Sequence, residues 1–123
     1  MNAAAINFKK CTNCGQSWLN RDAFLNDAEV KIIGYQSNLS HLEEGFFLFN
    51  HLAANCQTTI SIKVGRFRDL WQGVVHPVSA FDTDECEHQC CNVSDLNPCK
   101  IKCANVHVRE ILHVIKNWPK AIS

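Results

Sequence analysis

The feature that most constrains this chain is its set of eight cysteines in 123 residues. A pair stands near the N-terminus, five cysteines lie within residues 86–103, and Cys56 stands alone between them. Residues 1–10 place their few apolar side chains ahead of Lys9 and Lys10, whereas a secretory signal has its charge first. We therefore expect a cytoplasmic protein, in which thiols stay reduced and such spacing favours metal binding or catalysis over disulfides.

The N-terminal pair forms a metal knuckle. The two-residue spacer of Cys11-x2-Cys14 lets both sulfurs point at one ion, and Gly15 permits the tight backbone that follows. A knuckle supplies half of a tetrahedral site. The best candidates for the other half are His51 and Cys56, which flank a short turn between two predicted strands, giving three thiolates and one imidazole. The alternatives are a histidine hydrogen-bonded to backbone and a small buried cysteine.

The second group contains four cysteines at a doubled spacing, namely Cys86, Cys90, Cys99 and Cys103. Each Cys-x3-Cys pair would lie on one face of a helix, one turn apart. Two short helices folded back across residues 92–98 would bring all four sulfurs together. Such a hairpin suits a four-thiolate zinc site or an iron–sulfur cluster, and two nested disulfides or plain reduced thiols are the alternatives.

The number of ligands fits two four-coordinate sites. All the cysteines except Cys91, together with His51, make eight ligands. His88 and His107 lie close enough along the chain to exchange roles with Cys91. Two closed sites would be structural, because catalytic zinc keeps an open position, and each would contribute folding free energy on the order of 10 kcal/mol. We therefore expect two zinc ions.

The residues between the cysteine groups predict a small antiparallel sheet. Residues 30–36 and 45–51 are rich in β-branched and aromatic side chains, and residues 58–64 alternate apolar with polar ones. Asn20 is a good cap for a short helix ahead of the sheet, and residues 65–71 predict a helical turn.

The C-terminal part predicts a long amphipathic helix. Asn97 stands at a cap position with Pro98 as the first helical residue, apolar side chains then follow one stripe, and Pro119 ends the helix. The predicted fold class is α+β: a small antiparallel sheet with an N-terminal knuckle and a C-terminal cysteine-rich helical hairpin that ends in this helix. We expect residues 1–123 to form a single metal-stabilised domain.

The charge balance and the motifs argue against several functions. Lys plus Arg equals Asp plus Glu at 12 each, which argues against nucleic-acid binding, and no apolar run approaches the roughly 20 residues of a membrane helix. The sequence contains no glycine-rich phosphate loop, nucleophile elbow or His-Glu-x-x-His helix, so no catalytic residue is predicted. We expect a small metal-binding module that binds a protein or small molecule, or regulates one; the alternative is a redox or electron-transfer protein using the twin Cys-x3-Cys.

A longer pattern runs through nearly the whole chain. It comprises Cys11-x2-Cys14, Trp18, Phe24-Leu25, Gly34-Tyr35-Gln36, Gly45-x-Phe47-x-Phe49-Asn50-His51, Cys56-x-Thr58-Thr59, the twin Cys-x3-Cys, Arg109-Glu110-Ile111 and Trp118-Pro119. This pattern resembles a family of small uncharacterised bacterial proteins rich in cysteine. The resemblance implies that the knuckle, His51, Cys56 and the twin pairs belong to one design, and it implies no particular activity.

Overall fold

The computed structural model describes residues 7–53 and 56–120 of the chain. These residues form an α+β fold with two small antiparallel sheets, as the sequence predicts in outline. None of the helices among them combines the length and the apolar character needed to cross a bilayer.

The larger sheet has three antiparallel strands in the order β3-β4-β5. The strands are β3 (Val30–Gln36), β4 (Phe46–His51) and β5 (Thr58–Lys63), so the three predicted strands are confirmed to within one residue at each end. Alternate side chains of β4 and β5 are buried, as expected for a sheet with one covered face. Because β4 ends at His51, that side chain lies at the edge of the core.

The smaller sheet is a hairpin that carries the knuckle. Its strands are β1 (Lys9–Lys10) and β2 (Ser17–Trp18), with two residues each. The Cys11 backbone N–H donates to the Gln16 carbonyl at 2.7 Å, and the intervening turn passes through Gly15, whose φ of 83° is a left-handed conformation that glycine adopts without strain.

The predicted short helix is confirmed as α1 (Arg21–Asn26). The Asn20 side chain accepts a hydrogen bond from the Ala23 backbone N–H at 2.8 Å and so caps it, as expected. The helix buries Phe24, whose ring packs edge to face against both Trp18 and Phe49 at centroid separations of 4.9 Å. These contacts join α1 and the hairpin to the large sheet.

The C-terminal helix, α2, spans Val106–Lys116 and buries an apolar stripe against the same core. The prediction that it starts at Pro98 is wrong, since α2 begins eight residues later. The prediction that Pro119 marks its end agrees with the last helical residue, Lys116, because the chain cannot continue a helix through a proline.

The predicted cysteine-rich helical hairpin is also wrong. Between residues 81 and 105 the only helical turn is a 3-10 turn at Gln89–Cys91. Polar side chains in this segment bond to nearby backbone instead: Asp95 Oδ1 accepts from the Asn97 N–H at 3.0 Å, and Asn92 Oδ1 accepts from the Ser94 N–H at 3.2 Å. Such local bonds compete with a helix. A second 3-10 helix, Val64–Leu70, stands where the helical turn over residues 65–71 was predicted, and a third spans Leu42–Glu44.

Candidate metal centre

Four side chains from two distant parts of the chain converge beside the knuckle. They are Cys11 and Cys14 from the hairpin turn, His51 from the end of β4, and Cys56 from the connection to β5. One ligand atom from each of them lies within 4.8 Å of those of the other three. The predicted grouping of three cysteines and one histidine therefore exists as a cluster that could hold a metal ion.

The separations within this cluster suit a single ion. The Sγ atoms of Cys11 and Cys56 are 3.5 Å apart, and Cys14 Sγ lies 3.8 Å from His51 Nδ1. In a tetrahedral zinc site with zinc–sulfur bonds of about 2.3 Å, neighbouring sulfurs lie about 3.8 Å apart. A disulfide would need about 2.05 Å, and all eight cysteines are free thiols.

The His51 imidazole is oriented by packing and faces sulfur. The residue is fully buried, and its ring meets Trp18 edge to face at 5.1 Å. Its Nδ1 points toward Cys14, whereas its Nε2 has no hydrogen-bond partner among residues 7–53 and 56–120. The alternative of a histidine held by a backbone hydrogen bond is therefore not what the described residues form.

Hydrogen bonding favours the thiolate form of Cys11, which is the form that binds metal. Burial alone would raise the pKa of this thiol, but hydrogen bonds from the Cys14 backbone N–H, from His51 and from the Asn13 backbone N–H lower the pKa to about 6. The pKa of Cys14 moves in the opposite direction: the Gln16 N–H would lower it, but partial desolvation and the neighbouring Cys11 sulfur raise it. Several thiolates this close together repel one another, and a bound cation removes that repulsion.

Two polar residues around the cluster escaped the sequence analysis. Asn13 Nδ2 donates to the Cys56 carbonyl at 3.1 Å and to Cys56 Sγ at 3.4 Å, so it ties the knuckle to the most distant ligand. Asp27 accepts a hydrogen bond from Trp18 Nε1 at 2.9 Å and thereby fixes the indole that packs on His51. An amide inside a Cys-x2-Cys spacer was a visible signal, whereas the Asp27 contact depends on the fold alone.

The four cysteines of the twin Cys-x3-Cys are placed differently. All of them line one cavity of about 310 Å³ beside α2. In the part of the chain that the structure describes, only the first cluster, formed by Cys11, Cys14, His51 and Cys56, brings three or more ligand atoms within 4.8 Å of one another. The structure thus supports one of the two predicted four-ligand sites, and the second remains a prediction.

The candidate substitute ligands have other contacts. Cys91 is exposed, and one His88 ring nitrogen lies 3.2 Å from the Phe81 carbonyl oxygen. His107 Nδ1 lies 2.8 Å from the Ala104 carbonyl oxygen, which is one turn before it. These three side chains do not belong to the first cluster.

Comparison with known proteins adds no further assignment. No protein-family model, curated protein or solved structure matches this chain. The chemistry of the site has to be inferred from its own residues.

Proposed function

We propose that Cys11, Cys14, His51 and Cys56 bind one zinc ion, and that this ion is structural. The observation that supports the proposal is the 4.8 Å limit within which all four ligand atoms lie. Three thiolates and one imidazole are a donor set that zinc takes at structural sites. Four protein ligands close a tetrahedral shell, so no position is left for an activated water or a substrate.

The ion would connect the short β1–β2 hairpin to the larger sheet. The β1–β2 hairpin has only two residues in each strand, too few for a hairpin that is stable alone. Its ligands Cys11 and Cys14 would be joined through the metal to His51, which belongs to the central strand of the larger sheet. Metal binding would then contribute directly to the free energy of folding.

The role that follows is that of a small binding or regulatory module rather than an enzyme. The metal holds the shape of the domain, and a protein or small-molecule partner would be recognised by the surface. The balanced charge of 12 basic and 12 acidic side chains gives no field that favours nucleic acid. We place the module in the cytoplasm, where its thiols would remain reduced and able to bind metal.

Elemental analysis with two matched cysteine variants tests this proposal. Cys14→Ser removes an exposed ligand, and Cys91→Ser removes an exposed thiol outside the cluster, so both variants lose one surface thiol. In protein purified without added metal or chelator, Cys14→Ser should contain about one zinc per chain less than Cys91→Ser.

X-ray absorption at the zinc edge of a Cys91→Ser sample should show sulfur and imidazole ligands. Equal zinc in the Cys14 and Cys91 variants would contradict the proposal. An oxygen ligand in the first shell of this site would contradict its structural character, since it would reveal an open position.

A further inference from the structure

The twin Cys-x3-Cys surrounds one cavity even though its predicted helices do not form. Cys86, Cys90, Cys99 and Cys103 all line it. We call this space the four-cysteine cavity. Its volume is about 310 Å³, and the adjacent Cys91 does not line it. Four of the five thiols in this segment thus line the same cavity.

N–H groups are directed at three of the four sulfurs. Asn105 Nδ2 donates to Cys90 Sγ at 2.8 Å, the Ala80 N–H donates to Cys103 Sγ at 3.2 Å, and the His88 N–H lies 3.3 Å from Cys86 Sγ. Such donors stabilise thiolates, and they are the groups that surround sulfur ligands in zinc and iron–sulfur sites. Protonated thiols that bind no metal would be stabilised less by these donors than thiolates are.

A buried cation lines the same cavity. Arg109 is fully buried, and its Nε and Nη2 atoms donate to the Asp95 and Asn97 carbonyl oxygens at 2.6–2.9 Å. Its Nη2 also lies 3.1 Å from the Asp95 carboxylate, with which it forms an ion pair. Its Nη1 atom, also buried, finds no partner among the described residues. The Asp95 carboxylate thus already pairs with the guanidinium charge, and the buried Nη1 is a donor that still lacks an acceptor, which is costly in an interior.

We propose that the four-cysteine cavity is a second metal centre, in which the four sulfurs bind a thiophilic ion or cluster beside the Arg109 guanidinium. A divalent ion or an iron–sulfur cluster held by four thiolates is anionic, and the unpaired Nη1 of Arg109 would be a donor to it, while Nη2 stays paired with Asp95. This inference does not depend on the cluster of three cysteines and one histidine, with which it shares no residue.

The spacing of the sulfurs decides what can enter. No three of these four sulfurs lie within 4.8 Å of one another, whereas all four ligand atoms of Cys11, Cys14, His51 and Cys56 do. A single zinc ion would draw them together to about 3.8 Å, whereas a multinuclear iron–sulfur cluster would bridge a wider set. A zinc ion and an iron–sulfur cluster are both bound by thiolates, and the metal and sulfide analysis below distinguishes them.

Two neighbouring cysteines again provide a matched test. Cys99→Ser removes a sulfur of the cavity, and Cys91→Ser is the control, since Cys91 is exposed and lies outside it. Each variant is purified anaerobically, and zinc, iron and acid-labile sulfide are counted per chain. We expect Cys91→Ser to keep the wild-type content. Cys99→Ser should lose about one zinc, or else the iron together with the sulfide.

A labelling experiment on the wild-type chain covers the case in which Cys99→Ser fails to fold. Native protein is treated with a thiol-alkylating reagent, and each cysteine is scored by peptide mass spectrometry before and after metal removal. The half-buried Cys86 and Cys99 are the informative positions. We expect them to react at least tenfold more slowly than Cys91 until the metal is removed.

Three outcomes would overturn the second centre: unchanged metal content in a folded Cys99→Ser, equal labelling of Cys86 and Cys91 in the native protein, or labelling of the cavity cysteines only after reduction, which would reveal disulfides. Peptides with Cys11 and Cys14 are scored separately. Loss of protection there alone would count against the first site and leave this one standing.

Discussion

At the scale of single residues, a chain of hydrogen bonds connects the core to the four-cysteine cavity. The Tyr35 hydroxyl donates to Asn105 Oδ1 at 2.9 Å, and Asn105 Nδ2 donates in turn to Cys90 Sγ. Burial raises the pKa of Tyr35, so its hydroxyl stays protonated and remains a donor at neutral pH. One strand residue thus sets the orientation of the amide that faces the sulfur.

Replacing Tyr35 with phenylalanine tests the strength of this connection. The change keeps the ring but leaves Asn105 Oδ1 buried without its donor. Tyr35→Phe should therefore lower the free energy of unfolding by about 1–2 kcal/mol. Urea denaturation followed by fluorescence measures it. The control is Thr59→Val, which removes an exposed hydrogen bond to Asn50 and should change stability by less than about 0.5 kcal/mol. Equal effects would mean that the buried bond contributes nothing of its own.

At the scale of elements, β3 holds the cysteine segment through a close backbone contact. The Tyr35 N–H donates to the Val93 carbonyl at 2.8 Å, next to the irregular register between Ile32 and Gly34. A Cβ atom on Gly34 would lie 3.0 Å from that carbonyl oxygen and 2.8 Å from the Val93 side chain. The absence of a side chain at Gly34 therefore lets the 81–105 segment dock on the sheet.

Gly34→Ala should loosen that segment. We expect limited proteolysis to cut within residues 81–105 several times faster than in the wild-type chain, while the sheet stays protected. Gly65→Ala is the control, because a Cβ atom there would meet the Glu43 side chain and carbonyl oxygen no closer than 3.3 Å. Equal cutting in both variants would show that the contact at Val93 does not anchor the segment.

The elements also show what the sequence can and cannot predict here. The strands and the Asn20 cap were predictable because local patterns alone determine them, and the Cys11–Cys14 knuckle with His51 followed from spacing and strand ends. The Cys-x3-Cys pairs misled the prediction, because their spacing fits a helix face while the intervening polar residues favour turns. The burial of Arg109 beside these sulfurs arises only from tertiary packing.

At the scale of the whole molecule, a metal ion bound at the proposed first site would act as a cross-link. It would join Cys11 to Cys56, a separation of 45 residues. A covalent link of that span would remove roughly 4 kcal/mol of loop entropy from the unfolded chain in the chain-entropy model. A small core such as this one gains much from such a constraint, since native stability is itself only about 5–15 kcal/mol.

Removal of zinc with a chelator should therefore lower the melting temperature. Free zinc at 100 times its dissociation constant adds about 2.7 kcal/mol, which corresponds to a rise of roughly 10 °C for a chain of this size. Differential scanning calorimetry of chelated protein, with zinc and then magnesium added back, measures the effect. Magnesium should restore nothing, because it avoids thiolates. No difference between zinc and magnesium would contradict a structural thiolate site.

The order of the first-site ligands along the chain has a consequence during synthesis. Cys14 leaves the ribosome 37 residues ahead of His51. At about 5–20 residues per second, the knuckle waits roughly 2–7 s before its third ligand exists. Throughout that interval the thiols of Cys11 and Cys14 lack the other two proposed ligands. They are then accessible to oxidants and to any competing metal that binds two sulfurs. If the proposed site binds zinc, the cellular supply of zinc and the speed of translation would both affect how much of this protein matures correctly.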